Sequence, residues 1–256
     1  MKVVILAGGF GTRLSEHTNI IPKPMLQVNG KPILIHIMEY YASYGHKDFY
    51  IALGYKSEVI KDYFSKLPVL SSDFTIDLKT GSLKIHKGST RDWTVTLVDT
   101  GINSLTGGRL KRLKKYIGDE SFMMTYGDGL SDVNIDDLLD FHQEKKSLVT
   151  VTAVRPAARF GELDISNEGV VNSFQEKPQT SQGWINGGYF VMEPGFLDFI
   201  ENDQTILEKE PLETVASNRL LSAFKHKGFW QCIDTKRDLE YLNSLAENQN
   251  IPWRRK

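Results

Sequence analysis

From Val3 to Ala7 every position is apolar and several are β-branched, and the run stops at Gly8 and Gly9. An unbroken run of this kind predicts a strand buried on both faces, as in a parallel sheet. The period then changes. Ile33, Ile37, Tyr40 and Tyr41 recur at helical spacing between Pro32 and Gly45, which predicts a helix from about Gly30 with Pro32 in its first turn. Phe49 to Leu53 reads as a second strand. Val59, Ile60, Tyr63 and Phe64 follow on one helical face, with Ser57 as the expected cap and Glu58 in the first turn. This βαβα order continues through apolar strands at Val95 to Val98, Phe122 to Thr125 and Leu148 to Val154, with helical patterns after Arg109 and Asn134. Such alternation predicts an α/β fold with a doubly wound, mainly parallel sheet.

Two stretches depart from the alternation. Phe74 to Leu78 and Leu83 to His86, joined near Thr80 and Gly81, predict a β-hairpin inserted at about 68–93. From Gly161 to Glu193 short strands dominate (ELDI, VVNSF, GGYFVM), and helical patterns return at Pro194 to Glu201 and Thr235 to Ala246. No Ser/Gly-rich or Pro-rich linker and no internal repeat intervenes, so one continuous unit over 1–256 is expected. Its first half, to about 150, carries the insert, and its second half, 151–256, is α+β in character.

Composition narrows the partners. At 256 residues with 40% hydrophobic and 25% charged positions, the chain has the make-up of an ordinary globular protein. Lys plus Arg number 31 against 32 Asp plus Glu, so no global field draws nucleic acid or a membrane surface, and any anion site must be built locally. Cys232 is the only cysteine, which excludes an intramolecular disulfide, and no Cys/His cluster points to zinc. Residues 2–7 are too short for a signal segment, and no later run approaches the roughly 18 apolar residues of a membrane span. A cytoplasmic protein is expected.

The chemistry starts in LAGGFGTRL, Leu6 to Leu14. Gly8, Gly9 and Gly11 can take backbone angles closed to other residues and let a phosphate approach the amides, while Arg13 adds a forked cation. A P-loop would need GxxxxGK, and a dinucleotide fingerprint would need glycine at Leu14; neither fits. Asp128, in TYGDGL, lies just beyond the strand Phe122 to Thr125, where open α/β sheets bind ligands. Magnesium takes one or two carboxylates plus phosphate oxygens, and Asp234, at the end of Phe229 to Ile233, can supply the second. Taken singly, each residue has a plainer explanation: Lys23 as a solvated loop lysine, Asp128 as a turn former, Asp234 as a helix cap, Arg109 as a helix-start arginine facing water.

Together, LAGGFGTRL and PKPM (Pro22 to Met25) resemble the signature of the sugar-1-phosphate nucleotidyltransferases, which have a Rossmann-like fold. The resemblance implies that Leu6, Ala7, Gly8, Gly9, Phe10, Gly11 and Thr12 wrap a nucleotide, that Arg13 neutralises its β- and γ-phosphates, and that Lys23 touches the phosphate under attack. It implies Mg2+ on Asp128 and Asp234, with Asp128 also beside the nucleotide. SFQEKP is similar to the family's sugar motif, which gives Glu176 to sugar hydroxyls and Lys177 to the sugar phosphate. INGGYFVM resembles the segment closing the sugar pocket, with Asn186 bonding ring hydroxyls and Gly187 leaving room for the ring, and Gly161 in a similar role. Leu97 to Arg112 looks like the cytidylyltransferase branch, with Ser104, Gly108 and Arg109 beside the nucleotide. CTP and glucose 1-phosphate are then the substrates, CDP-glucose for deoxysugar and O-antigen polysaccharides the product, and a homo-oligomer the assembly. A thymidylyl- or uridylyltransferase is the alternative. A non-catalytic regulator would have lost Arg13, Lys23, Asp128, Lys177 and Asp234 first, and all are present.

Overall fold

In the computed structural model, which describes residues 1–11, 20–88, 91–156, 162–166, 168–175 and 183–255, the apolar runs become strands. Lys2–Leu6 (β1), Asp48–Leu53 (β2), Thr94–Asp99 (β3), Phe122–Tyr126 (β4), Val149–Val154 (β5), Ile185–Met192 (β6) and Leu221–Lys225 (β7) form one sheet. Its order is β7-β5-β6-β4-β1-β2-β3. β1 runs parallel to β2 and β4, β2 to β3, and β5 to β7, while β6 is antiparallel to both its neighbours.

Helices cover both faces, which is why the central strands can be apolar throughout. Val3 and Ile5 enter one core with Ile33, Ile37, Tyr41 and Trp253. Val4 and Leu6, pointing the other way, enter a second core with Leu110, Phe196 and Val215. The helices are Ile33–Ser43 (α1), Ser57–Leu70 (α2), Thr106–Arg112 (α3), Ile135–Lys145 (α4), Glu210–Ser217 (α5) and Lys236–Glu247 (α6), with a single further helical turn, Lys114–Ile117, after α3. Among the described residues no helix is long and apolar enough to cross a membrane.

Several local expectations are corrected. Ser57 does not cap α2; it is the first helical residue, and the cap is Lys56, whose left-handed backbone (φ 52°) turns the chain into the helix without a side-chain bond. α2 also continues through Pro68 to Leu70, so the hairpin begins later, with Ser72–Ile76 pairing antiparallel to Leu83–Gly88. α3 starts at Thr106, which places Arg109 mid-helix. Pro194 to Glu201 contracts to a tighter 3-10 helix, Pro194–Phe199. Pro32 lies in a two-residue strand, Lys31–Pro32, just before α1. α5 and β7 had no counterpart in the periodicity. The hairpin's turn is closed by Asp77 Oδ1, which accepts from the backbone N–H of Lys79 and Thr80 at 2.8 and 3.2 Å.

The topology decides where ligands bind. The chain winds outward from β1 through β2 to β3, then returns to place β4 on the other side of β1. The crevice beyond the carboxyl ends of β1 and β4 is thus a topological switch point, the usual ligand position in open α/β sheets. Three backbone bonds tie it together: Gly127 N–H to Leu6 O at 3.0 Å, Ala7 N–H to Ala52 O at 3.0 Å, and Tyr55 N–H to Gly8 O at 3.1 Å.

Candidate active site

A cleft of about 360 Å³ opens at this switch point. Leu6, Ala7, Gly8, Gly9, Phe10 and Gly11 form one wall; Lys23, Tyr126 and Asp128 form its floor; Ile102 to Thr106 and Arg109 form the other wall. Gly11 takes φ 64°, a left-handed angle that the absence of a side chain permits. A second recess of about 190 Å³ continues past Asp128 and is lined by Tyr126, Asn186, Gly187, Trp230 and Asp234.

At the junction of the two recesses the Lys23 ammonium lies 2.6 Å from Asp128 Oδ2 and 2.8 Å from Asp234 Oδ1. Each partner is positioned by its own local structure. Lys23 opens the 3-10 helix Lys23–Met25, where Pro22 and Pro24 restrict the backbone. Asp128 follows β4 and precedes the short strand Gly129–Ser131, which pairs antiparallel with Trp230–Cys232. That ribbon sets Asp128 beside Asp234, and the Ile233 N–H donates to Asp128 O at 2.9 Å. The cap of α6 is Thr235, joined with Asp238 in a capping box, and Asp238 Oδ2 also accepts from the Asp234 backbone N–H at 3.0 Å. The cap explanation thus belongs to Thr235, and the carboxylate of Asp234 is turned to Lys23.

Burial alone would push the Lys23 pKa down, but attraction to Asp128 and the hydrogen bonds to both aspartates outweigh it, and the net shift is upward. The ammonium is therefore firmly charged. The donor set suits a hard divalent cation: two converging carboxylates, with the remaining positions open to water and phosphate oxygens. Among the described residues no cluster of three or more His, Cys, Asp or Glu side chains offers a closed metal cage.

Arg109 does not face water. It is 4% exposed, with Nη1 donating to Leu53 O (3.1 Å), Thr100 Oγ1 (3.0 Å) and Gly101 O (2.7 Å), and Nη2 to Ile102 O (3.1 Å). Burial pushes its pKa below the ordinary guanidinium value. These acceptors are neutral, so the hydrogen bonds solvate the positive charge with dipoles, while nearby Asp99 offsets part of it. The guanidinium lies directly beneath two glycines. A methyl group at Gly8 would lie 2.3 Å from Arg109 Nη1, and one at Gly54 2.2 Å from it.

Other expected residues are placed differently. Ser104 is buried in the cleft wall, whereas Gly108 packs against the next segment, where a Cβ would meet Asp203 O at 2.4 Å, and does not line the cleft. Asn186 and Gly187 line the smaller recess, but the missing side chain of Gly187 answers to packing on β5: a Cβ there would meet Val154 Cγ1 at 2.7 Å and Thr152 O at 2.9 Å. Thr12, Arg13, Gly161, Glu176 and Lys177 lie outside the described residues. Gly54, Tyr126 and Thr106 were not anticipated. Gly54 ends the apolar run Phe49 to Leu53 as Gly8 ends the first one, a signal that was readable; Tyr126 stood in plain view within TYGDGL.

A glycine-walled cleft at a sheet switch point, with one lysine bridging two strand-end aspartates, defines an α/β protein that handles phosphates. The chain belongs to the nucleotidyl transferase family, whose model matches residues 2–249. It is 51% identical over 255 residues to the glucose-1-phosphate cytidylyltransferase of Salmonella typhimurium, covering 99% of each chain. It is 42% identical to the probable glucose-1-phosphate cytidylyltransferase of Bacillus subtilis, again over 99% of each. Among solved structures, HddC from Yersinia pseudotuberculosis superposes with a TM-score of 0.69 at 27% identity, over 95% of this chain and 98% of that one.

The packing of Arg109 is directly testable. Gly54→Ala should destabilise the fold by about 1–3 kcal/mol, the usual range for overpacking. Gly9→Ala, where a Cβ meets nothing within 4 Å, should stay within about 0.5 kcal/mol of the parent. Urea unfolding decides between them, and equal midpoints for the two variants would rule the packing out.

Proposed function

We propose that this protein transfers a cytidylyl group from CTP to α-D-glucose 1-phosphate, giving CDP-glucose and pyrophosphate. The observation that carries this is the 51% identity, over essentially the whole of both chains, to a protein named for that activity. The cleft is consistent with it: a nucleotide would lie along Gly8 to Gly11 and the wall from Ile102 to Arg109, and the sugar in the recess beside Asn186 and Gly187.

In this account a phosphate oxygen of glucose 1-phosphate attacks the α-phosphorus of CTP in line, the α–β bridging P–O bond breaks, and pyrophosphate departs. The attacking phosphate is already anionic at neutral pH, so no general base is needed. What the protein must do is hold two polyanions together and offset their repulsion. Lys23, with Arg13 and Lys177, would supply fixed positive charge, and Arg109 the field at the base of the glycine loop. Asp128 and Asp234 would hold Mg2+, which supplies charge neutralisation on the phosphate oxygens. Glu176 and Gly161 would complete the sugar side. A cytoplasmic location and a place in deoxysugar and O-antigen synthesis fit the substrates.

The assay is a matrix of nucleoside triphosphates against sugar 1-phosphates, read by pyrophosphate release with magnesium and with EDTA. CTP with glucose 1-phosphate should give the highest kcat/KM, and EDTA should abolish turnover. Equal use of UTP or dTTP would overturn the choice of base.

A homo-oligomer is part of the proposal, and the hairpin supports it. Two strands alone are marginal in water, yet Phe74, Ile76, Leu83 and Ile85 are all exposed on this one. Apolar groups gathered in this way mark contact surfaces. Sedimentation should show an assembly that Phe74→Ser with Ile85→Ser dissociates; an unchanged assembly would remove the hairpin from the interface.

A further inference from the structure

Between the cleft and the smaller recess stands Tyr126, which lines both. Its ring is held edge-on to Phe190, with centroids 6.0 Å apart. The other side is closed by Gly188, at φ 79°, where a Cβ would lie 2.6 Å from Tyr126 Cδ2. The ring is therefore fixed. Its hydroxyl donates to Glu208 Oε1 and accepts from Asn186 Nδ2 at 3.3 Å. Glu208 Oε2 accepts a second hydroxyl, from Thr106 Oγ1 at 2.7 Å. Thr106, in the first turn of α3, lines the nucleotide cleft, so one carboxylate joins both recesses.

The segment carrying Glu208 is itself anchored. Asp203 O accepts from Leu105 N–H at 2.8 Å, Thr205 O from Gly107 N–H at 3.0 Å, and Thr106 Oγ1 from Leu207 N–H at 2.9 Å. The close approach of Gly108 to Asp203 belongs to the same contact.

Counting donors shows what the carboxylate does. An ionised carboxylate only accepts, so Thr106 and Tyr126 must each direct their single hydroxyl proton at it. The Tyr126 oxygen has only lone pairs left to offer Asn186, and the amide must present Nδ2 to it. At the other end of the amide, the Gly188 N–H donates to Asn186 Oδ1 at 2.8 Å, which requires the same orientation. Among the described residues, one Nδ2 proton and one Oδ1 lone pair of Asn186 remain for a ligand in the recess.

We propose that Glu208 is a positioning residue for the sugar 1-phosphate: its carboxylate sets the polarity of the Tyr126 hydroxyl and, through it, the orientation of the Asn186 amide. This rests on the reading that the smaller recess takes the sugar. Glu208→Gln keeps the shape but replaces one acceptor by an N–H donor, so either Thr106 or Tyr126 meets a donor with its own proton.

Steady-state kinetics in both substrates, with the melting temperature as a folding control, tests the proposal. Glu208→Gln should raise the KM for glucose 1-phosphate about tenfold, equivalent to about 1.4 kcal/mol, while the KM for CTP and kcat move less than twofold. In a Tyr126→Phe background, which has no hydroxyl to orient, the same substitution should add nothing to the glucose 1-phosphate KM. An unchanged glucose 1-phosphate KM, an equal rise for both substrates, or additivity with Tyr126→Phe would each overturn the proposal. Asn186→Ala in the same assay separates the two levels. If it raises the glucose 1-phosphate KM and Glu208→Gln does not, the recess stands and the positioning role falls; if it too leaves that KM unchanged, the sugar assignment itself falls.

Discussion

Everything at the site depends on one ammonium group held between two carboxylates. Lys23, Asp128 and Asp234 are 105 and 211 residues apart along the chain, yet Lys23 Nζ reaches both acids within 2.8 Å. Two part-buried carboxylates brought this close repel each other, and the ammonium between them offsets that repulsion. The flanking structure accordingly fixes all three: prolines around Lys23, a two-stranded ribbon between the aspartates, and a capping box that holds the backbone at Asp234. The same geometry that makes the bridge favourable also makes it exchangeable. On the proposed function, a divalent cation would compete for the carboxylates that Lys23 neutralises, and a phosphate for the ammonium that they neutralise.

The sheet explains why this bridge faces a cleft and not solvent. Reversal of strand order at β1 leaves the space beyond β1 and β4 uncovered by any crossover, and the glycine loop and Asp128 are the first residues past those two strands. Arg109 closes the arrangement from below. It is bonded to carbonyls and a hydroxyl, and Gly8 and Gly54 are the positions where backbone must pass over it.

What could be read in the sequence follows from how local each signal is. β1, β2 and β4 were legible because buried parallel strands are apolar at most positions, and a glycine follows each within two residues. The hairpin was legible from its turn chemistry. Asp128 and Asp234 could be placed at strand ends, but their meeting with Lys23 depends on pairing between Gly129–Ser131 and Trp230–Cys232, which no local pattern encodes. α5 leaves no readable pattern because, with Pro211 and Val215 its buried positions, it has little apolar stripe. Arg109 was placed beside the nucleotide from resemblance alone; only the fold reveals that it is buried under two glycines. Glu208 lies in an exposed, aperiodic stretch, and nothing in the sequence around it announces a bond to Tyr126.

On the proposed function, Lys23 and a divalent cation compete for one pair of carboxylates. Titration of the nucleotide-free protein with Mn2+, followed by the loss of free-ion electron paramagnetic resonance signal, measures this directly. Lys23→Met, which keeps the side-chain length and removes the charge, should bind Mn2+ at least tenfold more tightly than the parent, because the metal no longer displaces an ammonium. An affinity equal to or weaker than that of the parent would mean that the bridge and the metal site are not the same place.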